Sequence, residues 1–177
     1  LSEGGLRLVI LSDTHGRLPP EVVRACEGAD HVIHAGDMGS DDILAELSAS
    51  ASAAPVVAVA GNVDPGDRAP LRARIDAGGW GILVQHIVWD RGGPSAEVRD
   101  RVLREGANLV VFGHTHEPLC RRLGRVVYLN PGSCGPKRFS KPRTYAEVLL
   151  EGERASFTIF DLEGGPPIFE GRFNISG

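Results

Sequence analysis

The feature that most constrains this chain is a recurrence: apolar runs that stop at short polar clusters bearing acids, histidines and asparagine. Leu6 to Ser12 (LRLVILS) stops at Asp13, Thr14, His15 and Gly16. His31 to Ala35 stops at Gly36 and Asp37. Pro55 to Ala60 (PVVAVA) stops at Gly61 and Asn62, with Asp64 just beyond. Continuous apolar runs of this length read as buried parallel strands with helices covering both sheet faces. Helical stretches do fall between them. Pro19 and Pro20 open one through Glu21, Val22, Val23, Ala25 and Cys26, because a first-turn amide has no helical partner to lose. Ser40 reads as the N-cap of the next, with Asp41 and Asp42 in its first turn and Ile43, Leu44 and Leu47 at helical spacing.

The second half changes character. Trp80 to Gln85 reads as a strand closed by His86, and Ser95 to Glu105 as a helix. Asn108 to Phe112 reads as a strand followed by His114 and His116. Arg125 to Leu129, Thr144 to Leu150, Ala155 to Phe160 and Ile168 to Phe173 are further strands. The glycine-bearing turns Leu123-Gly124, Glu151-Gly152 and Gly164-Gly165 around them predict antiparallel pairing. The expectation is an α/β chain whose second sheet is mixed.

A chain of 177 residues suits a single domain spanning 1–177, long enough to bury a core without staples. The formal net charge of -4 gives no electrostatic footprint for extended nucleic acid. The local basic run Lys137, Arg138, Lys141 and Arg143 reads as a solvated loop. Cys26, Cys120 and Cys134 form no C-x-x-C pair, which argues against a disulfide framework and a thiolate zinc site. No apolar run reaches membrane-spanning length and no leader opens the sequence, so a cytoplasmic protein with no membrane partner is expected.

In open α/β sheets, ligands bind beyond the carboxyl ends of the strands. Of six histidines, His15, His86, His114 and His116 fall at such ends, alongside Asp13, Asp37 and Asn62. Each alone would pass for an ordinary turn residue; their repetition at successive strand ends is the signal. Carboxylate, imidazole and amide donors without thiolate suit Mn, Fe, Ni, Co or Zn. Two such ions ~3.5–4 Å apart can polarise a phosphoryl oxygen and acidify a bridging water. They need one carboxylate that reaches both, and Gly36 would let the backbone approach closely at Asp37. His31 and His34 read as buried, hydrogen-bonded histidines. Asp64 reads as a residue that holds its loop or a ligating histidine. Cys134 reads as an inert thiol, and Trp80 and Trp89 as packing residues. Arg17 and residues 136–143 could meet a substrate phosphate, although nothing in the sequence requires it.

Taken together, Asp13-Thr14-His15-Gly16, Gly36-Asp37, Gly61-Asn62, His86 and Gly113-His114-Thr115-His116 resemble the ordered motifs of calcineurin-like metallophosphoesterases. Asn130-Pro131-Gly132-Ser133 and the compact length resemble the small bacterial phosphodiesterase (YfcE-type) branch. The resemblance implies two mixed β-sheets packed as a sandwich and flanked by helices. It also implies two divalent metal ions, manganese expected, with nickel, iron, cobalt or zinc as alternatives. Asp13, His15 and His116 would hold the first ion. Asp37 would bridge, and Asn62, His86 and His114 would complete the second, with Asn62 also contacting a substrate phosphate. The implied reaction is hydrolysis of a small phosphate ester, a phosphodiester above all, by in-line attack of the hydroxide that bridges the ions. Catalysis would rest on Asp37 and Asn62, and a homo-oligomer is compatible with the family.

Two positions depart from the family pattern. Gly61-Asn62-Val63-Asp64 has valine where many members carry a histidine thought to protonate the leaving group, which predicts a preference for easily departing groups. Gln85-His86-Ile87-Val88 replaces the branch's His-Gly-His. Aligning from the strand start makes His86 the metal-binding histidine, whereas aligning on Val88-Trp89-Asp90 makes it the other one; the first is preferred because loop length changes more readily than strand length. The rival class is a non-catalytic scaffold of the same fold, like the small retromer subunit, since fold alone does not establish activity. The full donor set argues against it.

Overall fold

The structure, a computed structural model, describes residues 4–90, 92–137 and 140–176. β1 (Leu6–Leu11), β2 (His31–His34) and β3 (Val56–Ala58) pair in parallel. β11 (Thr144–Glu151), β12 (Arg154–Asp161) and β13 (Phe169–Asn174) continue that sheet as antiparallel strands, giving the order β13-β12-β11-β1-β2-β3. The second sheet runs β4 (Arg72–Ala77), β5 (Trp80–Gln85), β8 (Leu109–Val111), β10 (Val126–Asn130), β9 (Leu119–Leu123). Its inner three strands are parallel and its two edges antiparallel. A short ribbon, β6 (Trp89–Asp90) and β7 (Gly93–Pro94), leads into α3 (Ala96–Glu105). Both sheets are mixed, and each predicted glycine turn joins an antiparallel pair. None of the described helices is long and apolar enough to cross a membrane.

Strand alternation distributes the core into three layers. Leu8, Ile10 and Ile33 face Trp80, Ile82, Leu109 and Leu129 between the sheets. Val9, Leu11 and Val32 point the other way, onto Val22 of α1 (Pro20–Cys26) and Ile43 and Leu47 of α2 (Asp42–Ser50). Leu83, Val110 and Phe112 pack on Val98 and Val102 of α3. The apolar runs are therefore buried by a helix layer on one face and the partner sheet on the other, rather than by helices on both. Trp80 is a packing residue, edge-on to Phe157 with its indole N–H donating to the Gly152 carbonyl at 2.9 Å. Trp89 stacks on Phe112 at a centroid distance of 5.5 Å.

Two helix starts differ in detail. Ser95 caps α3, its side chain accepting from the Val98 amide, and Gly106 closes that helix in the left-handed conformation. In α2 the cap position falls to Asp41, whose side chain makes no capping bond. Ser40 Oγ still accepts from the Asp42 amide at 3.3 Å, so the helix begins one residue later than expected while the serine bond is kept.

Candidate metal centre

The parallel register decides where the polar clusters go. Pairing of Leu11 with His34 lets the chain leave β1 and β2 side by side. Backbone bonding then continues beyond the strands: Asp13 N–H donates to the Gly36 carbonyl (2.9 Å) and His15 N–H to the Asp37 carbonyl (3.0 Å). In the second sheet Val84 pairs with Val111, and Gly113 N–H donates to the His86 carbonyl at 3.0 Å. The packed sheets thus bring both pairs of loops to one end. His114 N–H donates across to Asp13 Oδ2 at 3.2 Å.

Two donor groups result. Asp13, His15, Asp37 and His116 each offer an atom, all within 4.8 Å of one another. His116 Nε2 lies 3.1 Å from Asp13 Oδ1 and 3.4 Å from His15 Nε2. The second group gathers on Asn62 Oδ1, 3.1 Å from His86 Nε2 and 2.9 Å from His114 Nδ1. Asp37 faces both: Oδ2 is 3.9 Å from His15 Nε2, and Oδ1 is 3.3 Å from His86 Nε2. All seven residues named from the sequence therefore converge. His86 stands among them.

Do these residues fit a cation? His86 Nδ1 lies 2.7 Å from the Ala35 carbonyl, so it must be the protonated nitrogen. In the neutral ring, Nε2 then presents a lone pair to two oxygens, Asp37 Oδ1 and Asn62 Oδ1. Three acceptors converging on one point need a positive charge between them, a metal ion or, in the metal-free protein, a proton on Nε2. Asp13 Oδ1 makes the same case, being fully buried and accepting no hydrogen bond among the described residues despite the nearby His116 nitrogen. A histidine whose far nitrogen donates to a backbone carbonyl is also the usual metal-ligand arrangement. Without an ion the proton takes that place. Burial alone would raise the Asp37 carboxyl, but hydrogen bonds from His86 and the Val63 amide outweigh it and hold the pKa at about 2. Burial alone would lower His86, but Asp37 and Asp13 raise it.

The backbone is strained here. Asp13, His15, Asp37, His114 and His116 all have positive φ, between 45° and 69°, and among the described residues only Ser52 is another non-glycine of this kind. Such conformations cost roughly 1–3 kcal/mol each and persist where surroundings over-determine them. Glycines supply the room. A Cβ on Gly61 would stand 2.1 Å from Asp37 Oδ1, and one on Gly36 2.6 Å from His86 Nδ1. Gly36 thus makes space for the His86 ring as well as for the turn into Asp37.

Supporting residues hold the loops. Asp64 accepts from the amides of Met38, Gly39 and Gly61 at 2.9–3.1 Å and pairs with Arg68 at 3.0 Å. Burial works against its charge, yet those amides and Arg68 keep its pKa below the usual value. His34 is fully buried, accepts from the Gly36 amide at Nδ1 and donates from Nε2 to Thr14 Oγ1, which donates to the Met38 carbonyl. Burial pushes its pKa down to about 4, so it is neutral and serves as a strut. His31 sits at the far end of β2. Its Nδ1 has no hydrogen-bond partner among the described residues, contrary to expectation, and nothing in the structure explains this. Cys134 is buried and its thiol pKa is pushed up to about 12 by burial, as an inert thiol requires.

Sequence reading missed some of the scaffold. Asn130 Nδ2 donates to the Gly113 carbonyl (2.9 Å) and Thr115 Oγ1 (3.0 Å), while Ser133 Oγ donates to the Asp13 carbonyl at 2.9 Å. The signal available was a buried asparagine closing an apolar strand. Lys141 Nζ donates to the Thr115 carbonyl at 2.7 Å and pairs with Glu117 at 3.0 Å, so this member of the basic run props the histidine turn. Lys137 pairs with exposed Glu163. Arg138 lies outside the described residues, and Arg17 is exposed.

Acid and imidazole donors gathered at the carboxyl ends of two packed mixed sheets define a candidate metal-binding α/β protein. Residues 6–153 match the calcineurin-like phosphoesterase superfamily domain, and the chain belongs to that family. It is 32% identical to a probable metallophosphoesterase of Methanothermobacter thermautotrophicus, covering 90% of this chain and 93% of the relative. It is 27% identical to phosphodiesterase YfcE of Escherichia coli, over 79% of this chain and 85% of that one. Among solved structures, vacuolar protein sorting 29 of Cryptosporidium parvum superposes with a TM-score of 0.79 at 19% identity, covering 97% and 99% of the two chains. That likeness speaks for the fold alone.

Proposed function

We propose that this protein is a metal-dependent phosphodiesterase acting on small phosphate esters at a dinuclear centre. Asp13, His15 and His116 would hold one ion, Asn62, His86 and His114 the other, and Asp37 would bridge them. The observation that carries this reading is Asp37, whose two oxygens face two separate histidine groups. When bound, the ions supply positive charge at the phosphoryl oxygens and acidify water. The protein's own residues do the rest. Buried Asp13 and Asp37 fix the negative charge that selects cations, and the His86 bond to Ala35 sets the tautomer that leaves Nε2 as a donor to metal. Asn62 stands at the exposed mouth, where it can meet a phosphate oxygen. Val63, half exposed beside it, has no proton to give a departing alcohol. Diesters of acidic alcohols should therefore turn over best.

The scaffold reading is less favoured, because a pure scaffold has no need of seven converging donors, five of them held on strained backbone. The test is hydrolysis of bis-p-nitrophenyl phosphate and p-nitrophenyl phosphate by chelator-stripped protein given Mn, Ni, Zn or Mg in turn. Manganese-dependent turnover with the diester preferred is expected. Folded protein inactive with every metal would sink the proposal.

A further inference from the structure

Beside the centre lies a cleft of about 200 Å³, lined by Leu71, Arg72, Gln85 and Ile87 together with Asn62 and His86 of the centre itself. Six large apolar side chains are left exposed among the described residues; Leu71 (67%) and Ile87 (47%) are two of them, and both line this cleft. A third, Val63, directly follows Asn62. Exposed apolar side chains gathered at one place mark a surface that meets something other than water.

The polar groups of the cleft are already occupied by the protein. Arg72 and Gln85 face each other across the β4–β5 ladder, so this wall belongs to a sheet rather than a free loop. The Arg72 guanidinium is paired with Glu97. Gln85 Nε2 donates to the Ile87 carbonyl at 2.9 Å, and its Oε1 accepts from Arg101 at 3.3 Å. Arg72 is the only arginine or lysine lining the cleft among the described residues, and it already shares its charge with Glu97, so a second phosphate or a carboxylate would have to compete with that pair. A polar group entering here would lose water without gaining a partner. What remains on offer is apolar surface. An enclosed cavity of about 150 Å³ holds benzene, so this volume suits a substituted ring.

A phosphate contacting Asn62 would sit against residues that also line the cleft, so a group esterified to that phosphate reaches it without a spacer. Resting on the phosphodiesterase reading above, we propose that this cleft is the subsite for one ester substituent of the substrate, an uncharged apolar group the size of a substituted aromatic ring. Leu71 and Ile87 are then specificity-determining residues. A diester has a second substituent to accommodate and a monoester has none, which gives the cleft a part in choosing between them.

The test compares phenylphosphonate with methylphosphonate, whose P–C bonds resist hydrolysis, on zinc-loaded protein. Affinities come from calorimetry, and contact is read from the Leu71 and Ile87 methyl resonances. Phenylphosphonate is expected to bind at least about tenfold more tightly, in line with what apolar pockets discriminate. Its addition should shift both methyls, whereas methylphosphonate should shift neither. Leu71→Asp should collapse the phenyl-to-methyl ratio, and Leu103→Asp, at an exposed position on α3, should preserve it. Equal affinities in the parent protein, a ratio surviving Leu71→Asp, or no binding of either ligand would overturn the subsite. These readouts need no turnover, so failure of the catalytic reading (no hydrolysis with any metal) is a separate result.

Discussion

The two donor groups that share Asp37 are built differently. In the first, the Asp13 side chain is fully buried and those of His15 and His116 are only 13% and 12% exposed. All three take left-handed backbone, and the amides of Asp13 and His15 bond to the Gly36 and Asp37 carbonyls of the neighbouring loop. In the second, His86 is buried, but Asn62 and His114 are exposed and meet through side-chain contacts. Both departures from the family pattern, Val63 and Ile87, also adjoin the second group. One half of the centre is thus a buried socket and the other a more exposed rim next to the apolar cleft. An ion held in the socket should be the tighter of two, and variation in substrate should be written on the rim.

Asp37 joins the halves, so removing its charge should have the largest effect. Asp37→Asn keeps the shape and is expected to lower metal-dependent kcat/KM by roughly a thousandfold, the upper range for loss of one electrostatic group. Steady-state rates on the diester at saturating manganese check this. A loss below tenfold would mean that Asp37 does not link the groups.

The comparison itself is sharpened by His116→Ala beside His114→Ala. Zinc titration by calorimetry should show two classes in the parent protein. His116→Ala should remove the tight class and His114→Ala the weak one, each by about a hundredfold or more, since even outer partners of ligands cost 10–100-fold. If both variants weaken the same class, the distinction between socket and rim is wrong.

Asp64 tests whether the socket depends on loop anchoring. It accepts three amides from the loops carrying Asp37 and Asn62. Asp64→Ala leaves those amides unpaired and is expected to cost about 2–3 kcal/mol in urea unfolding. Activity should fall about 10–100-fold, as expected of a residue acting through ligands. Lost stability with full activity would make it a purely structural residue.

How much of this was legible beforehand follows the same physical lines. Strands buried on both faces announce themselves: Trp80 to Gln85 matches β5 at both ends, and β1, β2 and β8 lie within the apolar runs that predicted them. The edge strands of the second sheet were missed. β4 carries Arg72, Arg74 and Asp76 on its outer face, and β9 carries Arg121 and Arg122, so neither forms an apolar run. Charged edges of this kind protect a sheet from pairing further, and they hide it from a hydrophobicity reading. The candidate ligands were legible because each one ends a strand, and register does the rest. The bonds made by Asn130, Ser133 and Lys141 were not, because they reach backbone carbonyls far along the chain, which residue type and spacing do not encode. The cleft was equally invisible, since Leu71 and Ile87 become neighbours of Asn62 only once β4 pairs with β5.

The smallest expected effect concerns the strut beneath the socket. His34 in the folded chain has a pKa of about 4, below the ordinary value of 6.5, because burial disfavours its charge. The unfolded chain therefore binds a proton that the folded chain refuses between those two values. Stability contributed by neutral His34 is complete above about pH 6.5 and is lost as pH falls toward 4. Between pH 7 and pH 5 the difference amounts to ~2 kcal/mol at 1.36 kcal/mol per unit. The structural reason is that Nδ1 must accept from the Gly36 amide, and a protonated ring has no lone pair to do so. In His34→Gln the titration is gone. Urea unfolding of metal-free protein at both pH values should show a pH-dependent loss about 2 kcal/mol smaller in the variant than in the parent, whatever the variant's own stability. Carboxylates elsewhere titrate alike in both proteins and cancel from this comparison. Equal losses would mean that His34 takes up its proton as readily in the folded chain as in the unfolded one, and the bond from Gly36 that aligns the socket loop could not be the strut described.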